Sequence, residues 1–383
     1  MILKNLYIVG SNKSLQDITV AGESIERIGS SHSEDVNTID LKGCIAFPGL
    51  INSHDHLEFN LYPRLGHKKY NDYVEWGNDI HIKDKELIDS IEAVPLEIRL
   101  RYGVIKNLIC GVTAVAHHGA DYTLLDNSPV SIIRKGTCIH SVRLGGKWKL
   151  KINYPVNREP YVIHIGEGIS MQSNEEINEL LRWNLFNRKL IGIHGIAMTE
   201  EQCKKFAALI WCPDSNLFLF GKTADIPGLK KNTKILFGTD STLTADWNIF
   251  ENLRTARNQN LLSDEEIFNS LTQEAAEIWE MNDQGKLSAG HKADIVIARQ
   301  NSDNLFESFF NTNPEDILLV IKNGKIILFD QSQRDVLPEE VIQNKFEKVK
   351  VNGNVKFVAY RITETLNAIK KFNLSIPFAV GDC

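Results

Sequence analysis

Short hydrophobic runs separated by glycines occupy both ends of the chain, a pattern typical of β-strands joined by turns. Near the start they are LYIVG, DITVAGESIERIG and TIDLKGCIAF, and late in the chain they are KADIVIA and ILLVIKNGKIILF. The last run contains Asn323-Gly324, a pair typical of a hairpin turn. These runs predict one small composite β domain from residues 1–47 and 285–330. Residues 331–383 form a tail of unassigned role, with a helix expected near Thr363 to Lys371.

Between these ends, residues 48–284 alternate apolar runs with capped amphipathic segments. The apolar runs include GVTAVAHH, YVIHIGEG, LIGIH and KILFGTDS. One helix is expected to open with a capping box of Ser173 and Glu176, and the next with a box of Thr199 and Gln202. Strand, loop and capped helix in repetition predict an α/β fold with a parallel sheet, here a (β/α)8 TIM-like barrel.

The apolar run FPGLINS ends in His54 and His56. Because side chains alternate faces along a strand, both imidazoles are expected to point the same way, about 7 Å apart. Neutral imidazole is a common ligand of borderline metals, so the pair predicts half of a four-coordinate site. An ordinary surface or core position is the alternative for an isolated H-x-H.

Three further polar residues directly follow apolar runs, namely His164, His194 and Asp240. The carboxyl ends of barrel strands face one mouth, so residues distant in sequence converge there. The two histidines of the first run, with His164 and Asp240, would form a site for one divalent metal, Zn²⁺ or else Fe²⁺. Taken singly, each histidine is equally consistent with a hydrogen-bonded core residue, and Asp240 with a helix cap. Their coincidence favours the metal site.

Glu167 lies three residues after His164, where a continued strand would place it on the opposite face. Gly166 and Gly168 allow the chain to turn and bring the carboxylate inward. A carboxylate beside a metal-activated water can carry protons to a leaving group, so Glu167 is predicted to be catalytic. The alternative is a carboxylate that stabilises a helix start.

Composition narrows the class of protein but not its chemistry. The 383 residues, 43% hydrophobic and 24% charged, are ordinary for a globular protein. A net charge of -6, a pI near 6.0 and the lack of a basic stripe predict no nucleic-acid partner. Without an apolar run near the ~20 residues of a membrane helix, no membrane partner is expected. Six cysteines without a C-x-x-C pair favour reduced thiols and a cytoplasmic location.

A set of ordered motifs spans nearly the whole chain and is more specific than any one of them. The motifs are PGLINSHDHLE, GVTAVAHH, HIGEG, IGIHG, CPDSNLFLFG, FGTDS, GKLSAGHKADIVIA and VIKNGKII. The chain that carries them resembles the amidohydrolase superfamily, in the branch of mononuclear aminohydrolases with guanine, cytosine and S-adenosylhomocysteine deaminases and triazine hydrolases. The resemblance implies a barrel with a small composite β domain.

The resemblance also implies the role of each residue. The metal ligands would be His54, His56, His164 and Asp240, while Glu167 and His194 would act on the substrate. The implied reaction is hydrolytic deamination of an amino-substituted heterocycle. The metal would lower the pKa of a bound water, Asp240 would help to take its proton, and His194 would polarise the bond under attack. Glu167 would then protonate the departing amine.

Some assignments rest on position alone. The candidates for lining the substrate pocket are His117, His118, His140 and Arg143, and each is equally consistent with an ordinary strand-end or surface residue. A small-molecule substrate is the expected partner, and a homodimer is the expected assembly.

Three other functions compete with deamination. A chlorohydrolase would share every motif. A binuclear amidase or cyclic-imide hydrolase would need a bridging carboxylated lysine, for which Lys149 and Lys151 are the candidates. A non-catalytic scaffold with this fold would have little reason to retain all the metal ligands and Glu167.

The spacing of the strand ends predicts an abbreviated barrel. Thirty residues separate His164 from His194, a complete βα unit of about 30 residues. From Ala116, at the end of the second strand, only 48 residues remain to His164 if it ends the fifth. GTCIHSVR is therefore expected to be the third strand and KWKLKINYP the fourth, with almost no helix before YVIH. The expected barrel is abbreviated around its third and fourth strands, with a more open or differently walled pocket on that side.

Overall fold

The structure is a computed structural model that describes residues 1–11, 13–30, 38–119, 123–155, 159–343, 345–374, 376, 378 and 380–381. Eighteen strands lie in this part of the chain. The first four are β1 Ile2–Ile8, β2 Leu15–Ala21, β3 Ser24–Ile28 and β4 Thr38–Pro48. The next eight are β5 Leu50–Asp55, β6 Val112–His117, β7 Ser131–Ile132, β8 Thr137–Ser141, β9 Tyr161–Ile165, β10 Leu190–His194, β11 Ala208–Trp211 and β12 Lys234–Phe237. The last six are β13 Ile295–Arg299, β14 Ile317–Lys322, β15 Lys325–Asp330, β16 Glu347–Val351, β17 Asn354–Val358 and β18 Val380–Gly381.

Strands from both ends of the chain share one ten-stranded sheet, in the order β18-β16-β17-β15-β14-β13-β4-β1-β2-β3. The N-terminal and C-terminal parts meet where β4 pairs antiparallel with β13. Strands β16 to β18 extend this sheet with residues of the tail, whose predicted helix is confirmed as Ile362–Lys370. The domain boundaries at residues 47, 284 and 330 stay a prediction.

The central strands β5 to β12 form a parallel wall, as expected for a TIM-like α/β barrel. Strands β5, β6 and β7 pair in parallel in one sheet, and β8 to β12 pair in parallel in another. The wall continues from its last strand to its first, because the Asp240 N–H donates to the His54 carbonyl at 3.0 Å. The carboxyl ends of strands β5 to β12 therefore meet at one mouth of the barrel.

The helices pack around this wall and between it and the large sheet. They are α1 Tyr73–Lys83, α2 Lys85–Glu92, α3 Leu96–Ile109, α4 Trp148–Ile152, α5 Met171–Trp183, α6 Glu200–Cys203, α7 Pro213–Phe220, α8 Ile226–Leu229, α9 Ile249–Asn258, α10 Asp264–Ser270, α11 Gln273–Ile278, α12 Leu305–Phe310, α13 Glu339–Ile342 and α14 Ile362–Lys370. Four short 3-10 helices cover Leu57–Phe59, Thr123–Leu125, Pro314–Asp316 and Gln331–Gln333. In the described part of the chain, no helix is long and apolar enough to cross a membrane.

The strand assignment around KWKLKINYP was wrong. Residues Trp148–Ile152 of that segment form the short helix α4, and GTCIHSVR contains β8, which follows the two-residue strand β7. Trp148 and Ile152 are buried on one helical face, while Leu150 between them is 72% exposed. An alternating pattern that resembles a strand is thus a one-turn helix with two buried positions.

Of the two predicted capping boxes, one is confirmed and one was wrong. Thr199 and Gln202 form the predicted capping box of α6. The predicted box of Ser173 and Glu176 was wrong, because α5 begins earlier and Ser170 caps it by accepting from the Ser173 N–H. Glu176 instead accepts a hydrogen bond from the Gly166 N–H.

An aromatic cluster fixes the large sheet to the barrel. The Phe309 ring of α12 lies 5.1 Å from Phe47 of β4 and 5.0 Å from Phe268 of α10, both edge-on. Phe250 of α9 lies 6.0 Å away on another side. Edge-to-face pairs at these distances add to the burial of apolar area, so the sheet is held against the barrel wall.

Candidate active site

The side chains of His54 and His56 reach the barrel mouth from the end of β5. Strand alternation points both imidazoles inward and turns Asp55, between them, towards the helix α3 outside the wall. His54 is 1% exposed and Asp55 is fully buried. Asp55 Oδ2 lies 3.1 Å from the Lys106 Nζ. The histidine pair is therefore held from behind by a buried ion pair.

The predicted metal ligands lie together. His164 Nε2 is 3.2 Å from His56 Nε2 and 3.3 Å from His54 Nε2, and Asp240 Oδ1 is 3.7 Å from His54 Nε2. Ligands about 2.0–2.1 Å from a tetrahedral zinc ion would be separated by roughly 3.4 Å. The spacing and the chemistry of these four donors therefore fit a divalent metal.

Hydrogen bonds to the other ring nitrogens fix the tautomers of two histidines. His164 Nδ1 donates to the His140 carbonyl at 2.7 Å, which leaves Nε2 with its lone pair facing the other ligands. His194 Nδ1 faces Asn216 Oδ1 at 2.8 Å and must donate to it. Burial, and then the charges of neighbouring histidines, hold the pKa of His54 and His164 well below the ordinary value. Both are thus neutral, the form that binds metal.

Asp240 is held by its backbone and by three donors. Its φ is +60°, in the left-handed region that non-glycine residues seldom adopt. Oδ2 accepts from the hydroxyls of Ser215 and Thr244, and Oδ1 accepts from the Ser241 N–H. Burial raises the pKa of Asp240, but the charges of nearby histidines and these hydrogen bonds bring it below the ordinary value. Asp240 is therefore ionised, as a metal ligand or a base would have to be, and both roles stay predictions.

Glu167 turns inward as the neighbouring glycines predicted. Gly166 has φ +60° and Gly168 φ +152°, and a Cβ on Gly168 would lie 2.5 Å from the Asn71 carbonyl oxygen. The Glu167 carboxyl is buried, with Oε1 3.7 Å from His194 Nε2. Burial, followed by the charge of Asp240, raises the pKa of Glu167 well above the ordinary value. Burial therefore favours the protonated form of this carboxyl group, the form that can donate a proton.

A cavity of about 230 Å³ opens onto these groups. Its polar floor comprises His56, His140, His164, Glu167, His194 and Asp240. Its apolar walls comprise Phe59, Tyr62, Tyr73, Trp76, Ile80, Ile88, Leu144 and Leu243. Apolar walls with a few convergent polar groups are typical of a small-molecule site, and flat rings could stack on the aromatic members.

The structure separates the four weaker pocket candidates. His140 lines the cavity. His118 does not line it, but the centre of its ring lies 4.4 Å from that of the His164 ring. His117 Nδ1 accepts from the Leu57 N–H and lies 3.7 Å from Glu58 Oε2. The guanidinium of Arg143 lies over the Tyr73 ring and pairs with Asp72 and Glu176, outside the cavity lining. These positions do not show which of the four residues would contact a substrate, and the four substrate-binding roles stay predictions.

The two lysines considered for a binuclear centre lie elsewhere. The side chain of Lys149 is 39% exposed, and its Nζ lies 2.7 Å from Glu179 Oε1. The same Nζ lies over the Trp183 ring. Lys151 follows on the same short helix and is exposed. A bridging carboxylated lysine would have to lie among the buried histidines, so these positions do not favour a binuclear site.

Sequence reasoning missed the residues that hold the site in place. Asn216 orients His194, and Ser215 orients Asp240. Both lie in CPDSNLFLFG, which was one of the ordered motifs but to which no residue role was assigned. A polar pair inside an otherwise apolar segment, directly after a strand, was the available signal. Nothing in the sequence around Lys106 indicated that its side chain would pair with Asp55.

Comparisons with known proteins show that the chain is similar to hydrolases of one superfamily. Residues 163–327 match the Amidohydrolase family. A 5'-deoxyadenosine deaminase of Methanococcus aeolicus is 22% identical over 407 residues, which cover 87% of this chain and 95% of the relative. A 5-methylthioadenosine/S-adenosylhomocysteine deaminase of Carboxydothermus hydrogenoformans is 24% identical, with 91% and 96% covered.

Solved structures share the fold. An adenosine deaminase from Xanthomonas campestris with bound zinc has a TM-score of 0.69 at 15% identity, covering 97% of each chain. A mutant atrazine chlorohydrolase from Arthrobacter aurescens, complexed with zinc and atraton, has a TM-score of 0.64 at 17% identity, covering 85% of this chain and 94% of its own. The resemblance predicted from the ordered motifs is confirmed.

The ligand geometry predicts about one divalent metal ion per chain. His54→Ala should lose the ion because it removes a donor that lies within 3.7 Å of two others. Elemental analysis of freshly prepared protein measures this, and His291→Ala, in the segment before β13, is the matched control. Metal retained in full by His54→Ala would contradict the assignment.

Proposed function

We propose that this chain, a member of the amidohydrolase superfamily, is a metal-dependent aminohydrolase that removes the amino group of a heterocycle by hydrolysis. The observation that carries the proposal is that the buried carboxyl of Glu167 opens onto the same cavity as His56, His164 and Asp240. The ligands would be His54, His56, His164 and Asp240, holding one zinc ion. When bound, that ion supplies a water activated for nucleophilic attack.

The chain's own residues would move the protons of this reaction. Asp240 is ionised and accepts a proton from the nucleophile. Because His194 Nδ1 donates to Asn216, the Nε2 of the neutral ring carries a lone pair and faces Glu167 Oε1 at 3.7 Å. His194 would polarise the bond under attack by sharing the acid proton of Glu167. Glu167 is placed to give that proton to the departing amine, and the proton that Asp240 takes from the water replaces it. The roles expected from the sequence thus have a consistent proton path.

We extend the substrate class of the curated relatives to this chain. Those relatives are named for 5'-deoxyadenosine, 5-methylthioadenosine and S-adenosylhomocysteine. A purine fits the flat, aromatic walls formed by Phe59, Tyr62 and Trp76. The proposed substrate is therefore an adenosine derivative whose amino group faces Glu167.

A chlorohydrolase is the second candidate, because solved triazine hydrolases share the fold. Departing chloride needs no proton, whereas an amine does, so the buried carboxyl of Glu167, whose pKa burial raises, favours deamination. A cyclic amide or imide hydrolase lacks its bridging lysine in the described site. A non-catalytic scaffold would not need the proton path.

We infer that the barrel is abbreviated between its second strand and His164. The Ile133 N–H donates to the Val115 carbonyl at 2.8 Å, and Cys138 Sγ lies 3.8 Å from the His117 carbonyl oxygen. The segment from β7 to β8 therefore follows β6 along its length while its second half pairs with β9. In this view it occupies one position of the wall, and His164 ends the fourth strand position.

We also propose a homodimer, through a surface patch beside the shortened wall. The patch comprises Leu150, Tyr154, Trp183, Leu185 and Phe186, which are 40–72% exposed. Asn153 links its two halves, donating to the Trp183 carbonyl and accepting from the Leu185 N–H. These side chains present on the order of 500 Å², against roughly 800 Å² per partner in a stable dimer.

The cytoplasmic location expected from the cysteines stays a prediction. Five described cysteines are free thiols, namely Cys44, Cys110, Cys138, Cys203 and Cys212. Reduced thiols are the usual state in the cytoplasm.

The activity is tested with a panel of 5'-deoxyadenosine, 5'-methylthioadenosine, S-adenosylhomocysteine, adenosine, guanine, cytosine and a chlorotriazine. Ammonia release from at least one adenosine derivative, abolished by a chelator, is the expected result. Chloride release without ammonia would support the chlorohydrolase instead. No turnover of any compound by metal-loaded protein would contradict the deaminase.

Replacing the Glu167 carboxyl by an amide should slow turnover roughly 10²-fold or more, the usual contribution of general acid–base catalysis. Glu167→Gln should keep its metal and melting temperature, because the loss arises in the transition state. Steady-state kinetics and elemental analysis measure the two effects, and exposed Glu175→Gln on α5 is the control. Near-normal rates in Glu167→Gln would rule out the proton role.

The homodimer is tested by light scattering after size exclusion. Leu185→Glu combined with Phe186→Glu should convert a dimer into a monomer, since it places charges in the patch. Ile82→Glu, on α1 and 79% exposed, should not change the mass. A monomeric wild-type protein at tens of micromolar would refute the assembly.

A further inference from the structure

A buried lysine lies directly behind the candidate metal centre. Lys106, on α3 outside the barrel wall, is 1% exposed. Its Nζ lies 2.9 Å from Asn60 Oδ1, 3.1 Å from Asp55 Oδ2, 3.1 Å from the Asp240 carbonyl oxygen and 3.3 Å from Thr239 Oγ1. An ammonium has three protons to donate, so this group is fully used by oxygen acceptors.

The acceptors of Lys106 belong to the two segments that carry most of the ligands. Asp55 stands between His54 and His56, so its position sets that of both imidazoles. The Asp240 carbonyl belongs to a residue with φ +60°, and its orientation decides where the carboxylate points. One cation therefore pins the end of β5 and the turn after β12 to each other.

The surrounding polar groups leave this ion pair no freedom to rearrange. Asp55 accepts from Asn60 Nδ2 at 2.9 Å and from Asn107 Nδ2 at 2.7 Å. Asn52 donates to Asn107 Oδ1 at 3.0 Å and to Thr239 Oγ1 at 2.8 Å. All of these side chains are buried. A fully satisfied buried network of this kind holds one geometry, because each alternative leaves a polar group without a partner.

We propose that Lys106 is a positioning residue for the metal centre, acting through Asp55 and the backbone of Asp240. Burying an ion pair contributes little net stability compared with apolar side chains of similar volume. A role in orienting the ligands explains its place behind them. The inference rests on the metal centre of the proposed function and adds to it a residue that touches neither metal nor substrate.

The test separates positioning from folding. Lys106→Met leaves the Asp55 carboxylate buried and unpaired, so it should lower both the melting temperature and the affinity for metal. In Lys106→Met/Asp55→Asn neither buried charge remains, and most of the melting temperature should return. The Zn²⁺ affinity of the double variant, measured by competition with a chromophoric chelator, should stay about 10–100-fold weaker than that of the wild type, the usual cost of losing a group that orients ligands. Asp55→Asn alone completes the double-mutant cycle.

A second buried pair supplies the matched control. Lys356 and Asp330 lie 2.8 Å apart in the large sheet, and both are buried. Lys356→Met should lower the melting temperature while Zn²⁺ affinity stays at the wild-type value. Lys356→Met/Asp330→Asn should recover most of that melting temperature, again with wild-type Zn²⁺ affinity. Wild-type affinity in Lys106→Met/Asp55→Asn would overturn the positioning role, as would an equal loss of affinity in the Lys356 variants. If the wild type binds no Zn²⁺, the metal centre itself fails and the role of Lys106 falls with it.

Discussion

The candidate active site depends on holding His54 and His164 neutral while three imidazoles lie at close range. Nε2 of His164 lies 3.2 Å from that of His56 and 3.3 Å from that of His54. Charged rings so close would repel, and the repulsion grows as water is excluded. Burial lowers the pKa of His54 and His164, so the fold favours the form with a free lone pair. A parallel wall whose strands end at one mouth provides both the burial and the convergence.

Two residues of the site hold their side chains in place with strained backbone conformations. His194 and Asp240 have φ of +70° and +60°, values that cost on the order of 1–3 kcal/mol in a non-glycine residue. Such strain persists where surrounding contacts over-determine the conformation. The Asp240 N–H donates to the His54 carbonyl, and the Asp240 carbonyl accepts from Lys106 and Thr239. The polar network outside the barrel wall thus fixes the orientation of the side chains that face the cavity.

The short elements between β6 and β9 have consequences at the surface. Where a complete βα unit would place a long helix, the described chain before β9 has the five-residue α4. Leu144, just before it, lines the cavity and is 54% exposed, and Leu150 is 72% exposed. One side of the cavity wall therefore includes a short segment, and the exposed apolar patch begins on the neighbouring helix α4.

The sequence by itself determined the elements that local patterns encode. Apolar runs ending in His54, His56, His164, His194 and Asp240 predicted which residues would meet, since strand ends in a parallel barrel share one mouth. Glycines on both sides of Glu167 predicted its inward turn. Residue counts predicted that the wall between Ala116 and His164 would be short. Each of these inferences needs only the chain's own periodicity and length.

Tertiary structure decided which groups the buried polar atoms pair with. KWKLKINYP alternates like a strand, yet packing buries Trp148 and Ile152 and exposes Leu150, so it folds as a helical turn. Glu176 has the spacing of a cap but accepts from Gly166 instead. Lys106 meets Asp55 and Asp240 only because α3, β5 and the turn after β12 pack together. Local pattern states which side of an element is buried, but a buried charge is satisfied by segments far away in sequence, and only the assembled fold brings those together.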